Sequence, residues 1–296
     1  MKALVTGGAG FIGSNLVERL IGEGWKVRVI DDLRLGSALN LNSAADFTEL
    51  DIRKIDSNTK IFRDVDTVFH LAAESRNLPS MTGEATAIFN VEVNVIGTIT
   101  VLEAAVNSNV RNFVYSASST VYGNHPQPQV ETMLPDCITP YGASKFAGEM
   151  FVRDTSNRTA LSSHCLRYFQ VFGPRQPESG PYALVTGIFD RQRREGVALT
   201  IEGDGSQTRD FVHVDDVVEA NLRASMLLGK GAPINIGTGV ATSIKRIADE
   251  ISSNQIHLPP RKFDLPGTRA ELTKCIDVFD WHPKKSIINY LRKIDD

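Results

Sequence analysis

Short apolar, β-branched runs alternate along the first half of the chain with stretches whose apolar residues recur at helical spacing. KALVTG, WKVRVIDD, DTVFHLAA, NFVYSAS and HCLRYFQVF are strand-like, and amphipathic stretches separate most of them. That alternation predicts an α/β protein with a parallel sheet covered by helices on both faces. After Gly13, the residues Leu16, Val17, Leu20 and Ile21 mark one helical face and Gly24 supplies a stop, so strand, helix and next strand predict a βαβ unit. Beyond about residue 167 the pattern turns irregular and richer in Pro and Gly, as in FGPRQPESGP, IEGDGSQTRD and IHLPPRKFDLPG. A lobe of loops and short helices is expected there. PINIG at 233–237 reads as a further strand, by which the chain revisits the sheet. The expected division is therefore 1–166 for the sheet domain, with return segments at about 208–238, and 167–296 mainly for a smaller lobe.

Composition narrows the classes of function. The 296 residues, 42% hydrophobic, suffice for a full core. A net charge of -3 with scattered Lys and Arg leaves no basic stripe for nucleic acid and points to a small ligand. Cys137, Cys165 and Cys275 are odd in number and lack metal-ligand spacing, so buried thiols in a reducing compartment are expected, with no metal. The opening MKALVTGGAGFIG leads straight into a strand and a turn, and no apolar run is expected to reach membrane-spanning length. A cytoplasmic protein without a membrane partner is expected.

TGGAGFIG sets Gly7, Gly10 and Gly13 at three-residue spacing between a strand and a helix. Glycines there allow a tight turn and a close approach of backbone to a pyrophosphate, whose charge the helix N-terminus favours. Asp31 follows at the end of the second strand, 18 residues after Gly13. A carboxylate at that place binds both ribose hydroxyls of NAD and repels the extra phosphate of NADP, although Arg34 is close enough to temper the repulsion. The expected fold is a Rossmann-type doubly wound sheet with a C-terminal substrate lobe, and the expected cofactor is NAD.

TPYGASK at 139–145 carries the other half of the chemistry. Thr139 can cap a helix and Pro140 can fill its first turn, which stacks Tyr141 and Lys145 on one side. An ammonium beside a phenol, with the helix N-terminus, is expected to lower the phenol pKa and make Tyr141 a usable acid or base. By itself a Tyr-x-x-x-Lys pair is a solvated helix face. Upstream, however, YSASSTVYG ends a strand with hydroxyls at Ser116, Ser118, Ser119 and Thr120, where sheets of this kind bind ligands.

Taken together, TGGAGFIG, Asp31, HLAA, SASSTVYG, YGASK, LRYFQVFGPRQ, GDGSQTRDFVHVDDV and NIGTG closely resemble the extended short-chain dehydrogenase/reductase family, over nearly the whole chain. Within it the sequence is most similar to the UDP-glucose/UDP-N-acetylglucosamine 4-epimerases. The resemblance implies tightly held NAD that takes a hydride from sugar C4, rotation of the 4-keto sugar, and return of the hydride to the other face. It implies Tyr141 as base, assisted by Lys145 and Ser118. For the cofactor it implies Gly7, Gly10, Phe11, Ile12, Gly13, Asp31, Asp51, Ile52, Leu71, Ala72, Ala73, Asn94 and Tyr168, together with Tyr141 and Lys145. For the substrate it implies Ser118, Ser119, Tyr141, Gln170, Thr268 and two diphosphate-holding arginines, Arg209 and Arg261. Gln170 stands where the family usually has Asn. Ser119 and Thr120 replace the acidic residues of the dehydratases and decarboxylases, which disfavours elimination. Thr268 implies a small wall with room for an N-acetyl group. A homodimer through the helices carrying GTITVLEAA and KFAGEMFV is also implied. The alternatives are a 4,6-dehydratase or reductase acting on a nucleotide sugar, and a non-catalytic NAD-binding regulator.

Overall fold

A computed structural model describes residues 1–56, 60–75, 87–180, 182–261 and 264–293. Its main sheet is parallel and has seven strands: β1 (Lys2–Thr6), β2 (Lys26–Asp31), β3 (Asp46–Glu49), β4 (Thr67–His70), β5 (Asn112–Ser118), β6 (Ser162–Tyr168) and β10 (Lys230–Ile236), in the spatial order β10-β6-β5-β4-β1-β2-β3. The inner strands are buried on both faces, and β1 and β4 accordingly carry consecutive apolar residues rather than alternating ones, whereas β6, SSHCLRY, buries polar side chains as well. β1 pairs with β2 on one side and β4 on the other, Val5 lying between Val29 and Phe69. The strand order reverses there, which opens a crevice at the carboxyl ends of β1 and β4.

One face of the sheet is covered by the helix Phe11–Gly22, through Leu16, Val17 and Leu20, and by Val214–Met226, through Val217, Val218 and Leu222. Cys275, Phe279 and Trp281 complete that core, so the helix Thr273–Phe279 serves the sheet domain although sequence places it in the lobe. The other face carries Pro140–Arg158 and a continuous 21-residue helix, Ala87–Asn107. The latter corrects the expectation that no apolar run reaches membrane-spanning length, since it is long and apolar enough to do so. Packing accounts for part of its apolarity, because Val93, Val101, Leu102, Ala104 and Ala105 are buried against the sheet, while Ile88, Val91 and Ile96 are exposed. Each such side chain contributes ~1–3 kcal/mol.

The lobe has two small sheets. β7 (Gln170–Phe172), β9 (Thr208–His213) and β11 (Ala241–Ser243) form one, and β8 (Leu199–Glu202) pairs with β12 (Gln255–Leu258) in the other. They enclose Phe172, Phe189, Leu199, Ile201, Phe211 and Ile247. The chain does return to the main sheet, through Val214–Met226 and β10. The return begins later than the sequence suggests, because β9 finds its partners in β7 and β11. β3 is not signalled in sequence: DFTE is a half-exposed edge strand with one apolar residue.

Candidate active site

The turn after β1 is built around glycine for steric reasons. Gly7 has φ +72°, and a Cβ on it would lie 2.6 Å from the Ala72 nitrogen and 2.9 Å from Ala72 Cα. A Cβ at Gly13 would lie 2.1 Å from the Gly7 carbonyl oxygen, so this residue seats the helix against the turn. Around Gly10 the Gly7 oxygen, 3.3 Å away, is what a Cβ would meet, and its backbone otherwise faces the crevice. Asp31 is held at the neighbouring strand end: Oδ2 accepts from the Ala9 amide at 3.0 Å and Oδ1 from the Leu33 amide at 2.9 Å. Burial pushes its carboxyl pKa up, and these amides draw it back. The crevice is a cavity of about 600 Å³. A bare backbone cradle beside a fixed carboxylate fits a dinucleotide.

Phe11, Ile12, Asp51, Ile52, Leu71, Ala72, Ala73 and Tyr168 all line this crevice. The Asp51 carboxylate is itself engaged by the Arg53 side chain at 2.6–3.0 Å, which holds its pKa below the usual range. The Tyr168 hydroxyl donates to Asn221 Oδ1 at 2.9 Å. The end of β4 is pinned by His70, whose ring contacts the Thr6 and Thr98 hydroxyls at 2.7 and 3.0 Å and whose pKa burial drives down to about 3. Asn94 is buried and is not among the side chains that line the crevice. Its amide is spent on Glu74 N–H and C=O at 2.8 and 3.0 Å and on Ser144 Oγ at 2.9 Å, clipping the segment after β4 to the helix Pro140–Arg158.

That helix starts as its sequence dictates. Thr139 Oγ1 accepts from the Gly142 amide at 3.0 Å and Pro140 occupies the first turn. Tyr141 and Lys145 both face the crevice, as do Ser118, Ser119 and Thr120 at the carboxyl end of β5. Ser118 Oγ lies 2.9 Å from Thr120 Oγ1 and close enough to the Tyr141 phenol to draw its pKa down. The net effect on Tyr141 is nevertheless upward, because burial outweighs Ser118 and the Glu74 carboxylate adds to the rise. The expected lowering by Lys145 is therefore not what sets this phenol. Lys145 is itself buried, which takes its pKa down to about 7 against the opposing pull of Cys165 and Glu149. Its ammonium lies over the Tyr115 ring, 4.4 Å from the centroid. A Cβ at Gly148 would lie 2.2 Å from the Tyr115 hydroxyl oxygen, so glycine is what lets this helix pack so closely on β5.

A second cavity of about 280 Å³ adjoins the first, sharing Ser119, Thr120, Gln170 and Tyr182 with it. Arg209, Arg261 and Thr268 line it, so the structure brings these substrate candidates together. Arg209 donates to the Thr208 and Leu265 carbonyls at 2.8 and 2.9 Å and pairs with Asp264, while Arg261 pairs with Glu202. Sequence reasoning missed Glu74 and Tyr182. Glu74 is fully buried, its Oε2 lies 2.9 Å from Arg34 Nη1, and its Oε1 accepts from the Tyr182 hydroxyl at 3.3 Å. The available signal was an acidic residue directly after HLAA, at the carboxyl end of a buried parallel strand.

A family model described as the NAD dependent epimerase/dehydratase family matches residues 3–237. A UDP-glucose 4-epimerase of Mycolicibacterium smegmatis is 37% identical over 308 residues, spanning 99% of this chain and 97% of that protein. A UDP-glucose 4-epimerase of Thermotoga maritima, solved with UDP-glucose, superposes with a TM-score of 0.91 at 36% identity and covers 100% of both chains. A UDP-N-acetylglucosamine 4-epimerase of Methanobrevibacter ruminantium, solved with UDP-N-acetylmuramic acid, gives 0.91 at 32% identity, covering 99% of this chain and 96% of that one. With the glycine cradle, the fixed aspartate and the Tyr141 helix set around one crevice, the chain belongs to the NAD dependent epimerase/dehydratase family of extended short-chain dehydrogenases/reductases.

Proposed function

We propose that the protein is a 4-epimerase of a UDP-hexose or UDP-N-acetylhexosamine, working through a transient 4-keto sugar. The observation that carries this reading is the convergence of Tyr141, Lys145 and Ser118 on the cofactor crevice, beside a second cavity with two arginines. When bound, NAD supplies the hydride acceptor and donor for C4. Tyr141 holds the proton that the C4 oxygen gives up and later returns it, while Ser118 positions that oxygen by a hydrogen bond. Lys145 serves the nicotinamide ribose. Arg209 and Arg261 exchange their carboxylate partners for the diphosphate and anchor the nucleotide, which leaves the sugar free to turn.

An elimination reaction is less well supported. Ser119 and Thr120, next to Ser118, cannot act as the acid or base it needs, and the carboxylate of Glu74 is buried and engaged. Thr268 on the wall of the second cavity, a small residue, favours an N-acetylated sugar. A homodimer is part of the proposal. The exposed apolar residues Ile88, Val91 and Ile96 on one helix and Met150 and Phe151 on its neighbour support it, with the first three lying ahead of GTITVLEAA.

The test is incubation of the purified protein, without added cofactor, with UDP-N-acetylglucosamine and separately with UDP-glucose. An isomer of equal mass is expected; a product that has lost water or carbon dioxide, or net accumulation of reduced cofactor, would refute the proposal.

A further inference from the structure

Arg34 follows Asp31 by three residues and lines the same crevice, where a free guanidinium would offset the repulsion that Asp31 exerts on a ribose 2′-phosphate. The structure gives this cation another occupation. Its Nη1 is 2.9 Å from Glu74 Oε2, and its guanidinium carbon lies 4.8 Å from the centroid of the Phe89 ring. Glu74 does not yield easily, since the Asn94 amide fixes both its N–H and its C=O and its carboxylate is fully buried. A buried carboxylate that loses a cationic partner is left with a heavy desolvation cost, so the pair holds Arg34 from the Glu74 side.

We propose that Glu74 is a specificity-determining residue for the cofactor: it draws Arg34 toward the end of β4, so that Arg34 offsets Asp31 only weakly and NADP is excluded. The inference rests on the cofactor ribose lying at Asp31. It assigns the selection to two residues on different strand ends, one repelling the phosphate and the other withholding its natural counter-ion.

The test equilibrates the full-length protein with an excess of equimolar NAD⁺ and NADP⁺ and measures the bound ratio after extraction, for the parent, Glu74→Gln, Glu74→Gln/Arg34→Ala, Arg34→Ala and Asp31→Asn. Neutralising Glu74 removes the closest carboxylate partner of Arg34 and leaves Asp32, 3.9 Å from its Nε, as the weaker one, and the bound NADP/NAD ratio is expected to rise about tenfold, the effect of one added charge near a phosphate. The rise is expected to vanish in the double variant. An unchanged ratio in Glu74→Gln, or a rise that survives removal of Arg34, would overturn the proposal. Should Glu74→Gln fail to fold, Arg34→Ala decides: a sequestered arginine predicts a ratio within about threefold of the parent, and a fall of tenfold or more overturns the inference. Asp31→Asn separates the two levels. A ratio that moves with Asp31→Asn but not with Glu74→Gln refutes the role of Glu74 alone, and one that moves with neither also refutes the placement of the ribose at Asp31.

Discussion

Lys145 is expected to lower the stability of the cofactor-free protein, and replacing it by Met tests this. The side chain is 2% exposed, and burial takes its pKa from 10.5 to about 7, which corresponds to about 5 kcal/mol of penalty on the charged form. Met has similar length and no charge, so Lys145→Met is expected to gain roughly 5 kcal/mol at pH 6. The sign follows from linkage. Below about pH 7 the lysine is protonated in both folded and unfolded chains, and the fold bears the whole penalty. From about 7 up to 10.5 the unfolded chain alone keeps the proton, so parent stability rises with pH by about 1.4 kcal/mol per pH unit.

The assay is chemical denaturation of cofactor-stripped parent and variant at pH 6, 7.5 and 9, with loss of turnover in the variant as the companion measurement. The advantage of Lys145→Met should be largest at pH 6 and should shrink steadily toward pH 9. If the variant is no more stable than the parent at pH 6, or if the gap widens with pH, then the ammonium is solvated or paired and the burial argument fails. Activity lost together with stability gained would mean that the site keeps a costly charge for its chemistry.

Other consequences are simpler to state. Tyr141→Phe should lower kcat by about 10³-fold or more while bound NAD, measured after extraction, stays at the parental level. Gly7→Ala, strained at φ +72° and within 2.6 Å of the Ala72 nitrogen, should purify without cofactor and melt several degrees lower by differential scanning fluorimetry. Glu149→Gln leaves Arg167 a buried charge without the carboxylate that now holds it at 2.7 and 3.0 Å, and should cost about 3–5 kcal/mol in denaturant unfolding. Thr268→Tyr should fill part of the second cavity and cut kcat/KM for UDP-N-acetylglucosamine by about tenfold or more relative to UDP-glucose.

What was legible in the sequence is what depends on neighbours along the chain. The strand, the glycine turn and the helix after it are encoded within 22 residues, and Thr139, Pro140, Tyr141 and Lys145 fix a helix start and a shared face within one turn. What was not legible depends on partners brought in by the fold. β3 carries no apolar run to betray it, and β9 joins the lobe because of where β7 and β11 lie. Arg34 and Glu74 are 40 residues apart and make a pair through the packing of two strand ends, with Asn94 clipping the segment after β4 in place.

The error over Tyr141 has the same origin and shows how far spacing arguments carry. A separation of four residues gives the geometry of a Tyr–Lys pair, and from geometry alone the ammonium should acidify the phenol. The dielectric in which that pair sits is supplied by Tyr115, 30 residues earlier on β5, by Gly148, whose missing side chain admits the ring, and by Cys165 on β6. Taking both groups out of water penalises phenolate and ammonium alike, and burial is the largest cause of the shift at each of them. The cofactor-free site therefore holds the phenol protonated and the lysine close to neutrality at physiological pH. A spectroscopic titration of the stripped protein should then find that Tyr141 does not ionise below the ordinary phenol value of 10, and phenolate appearing there near neutral pH would refute the burial argument.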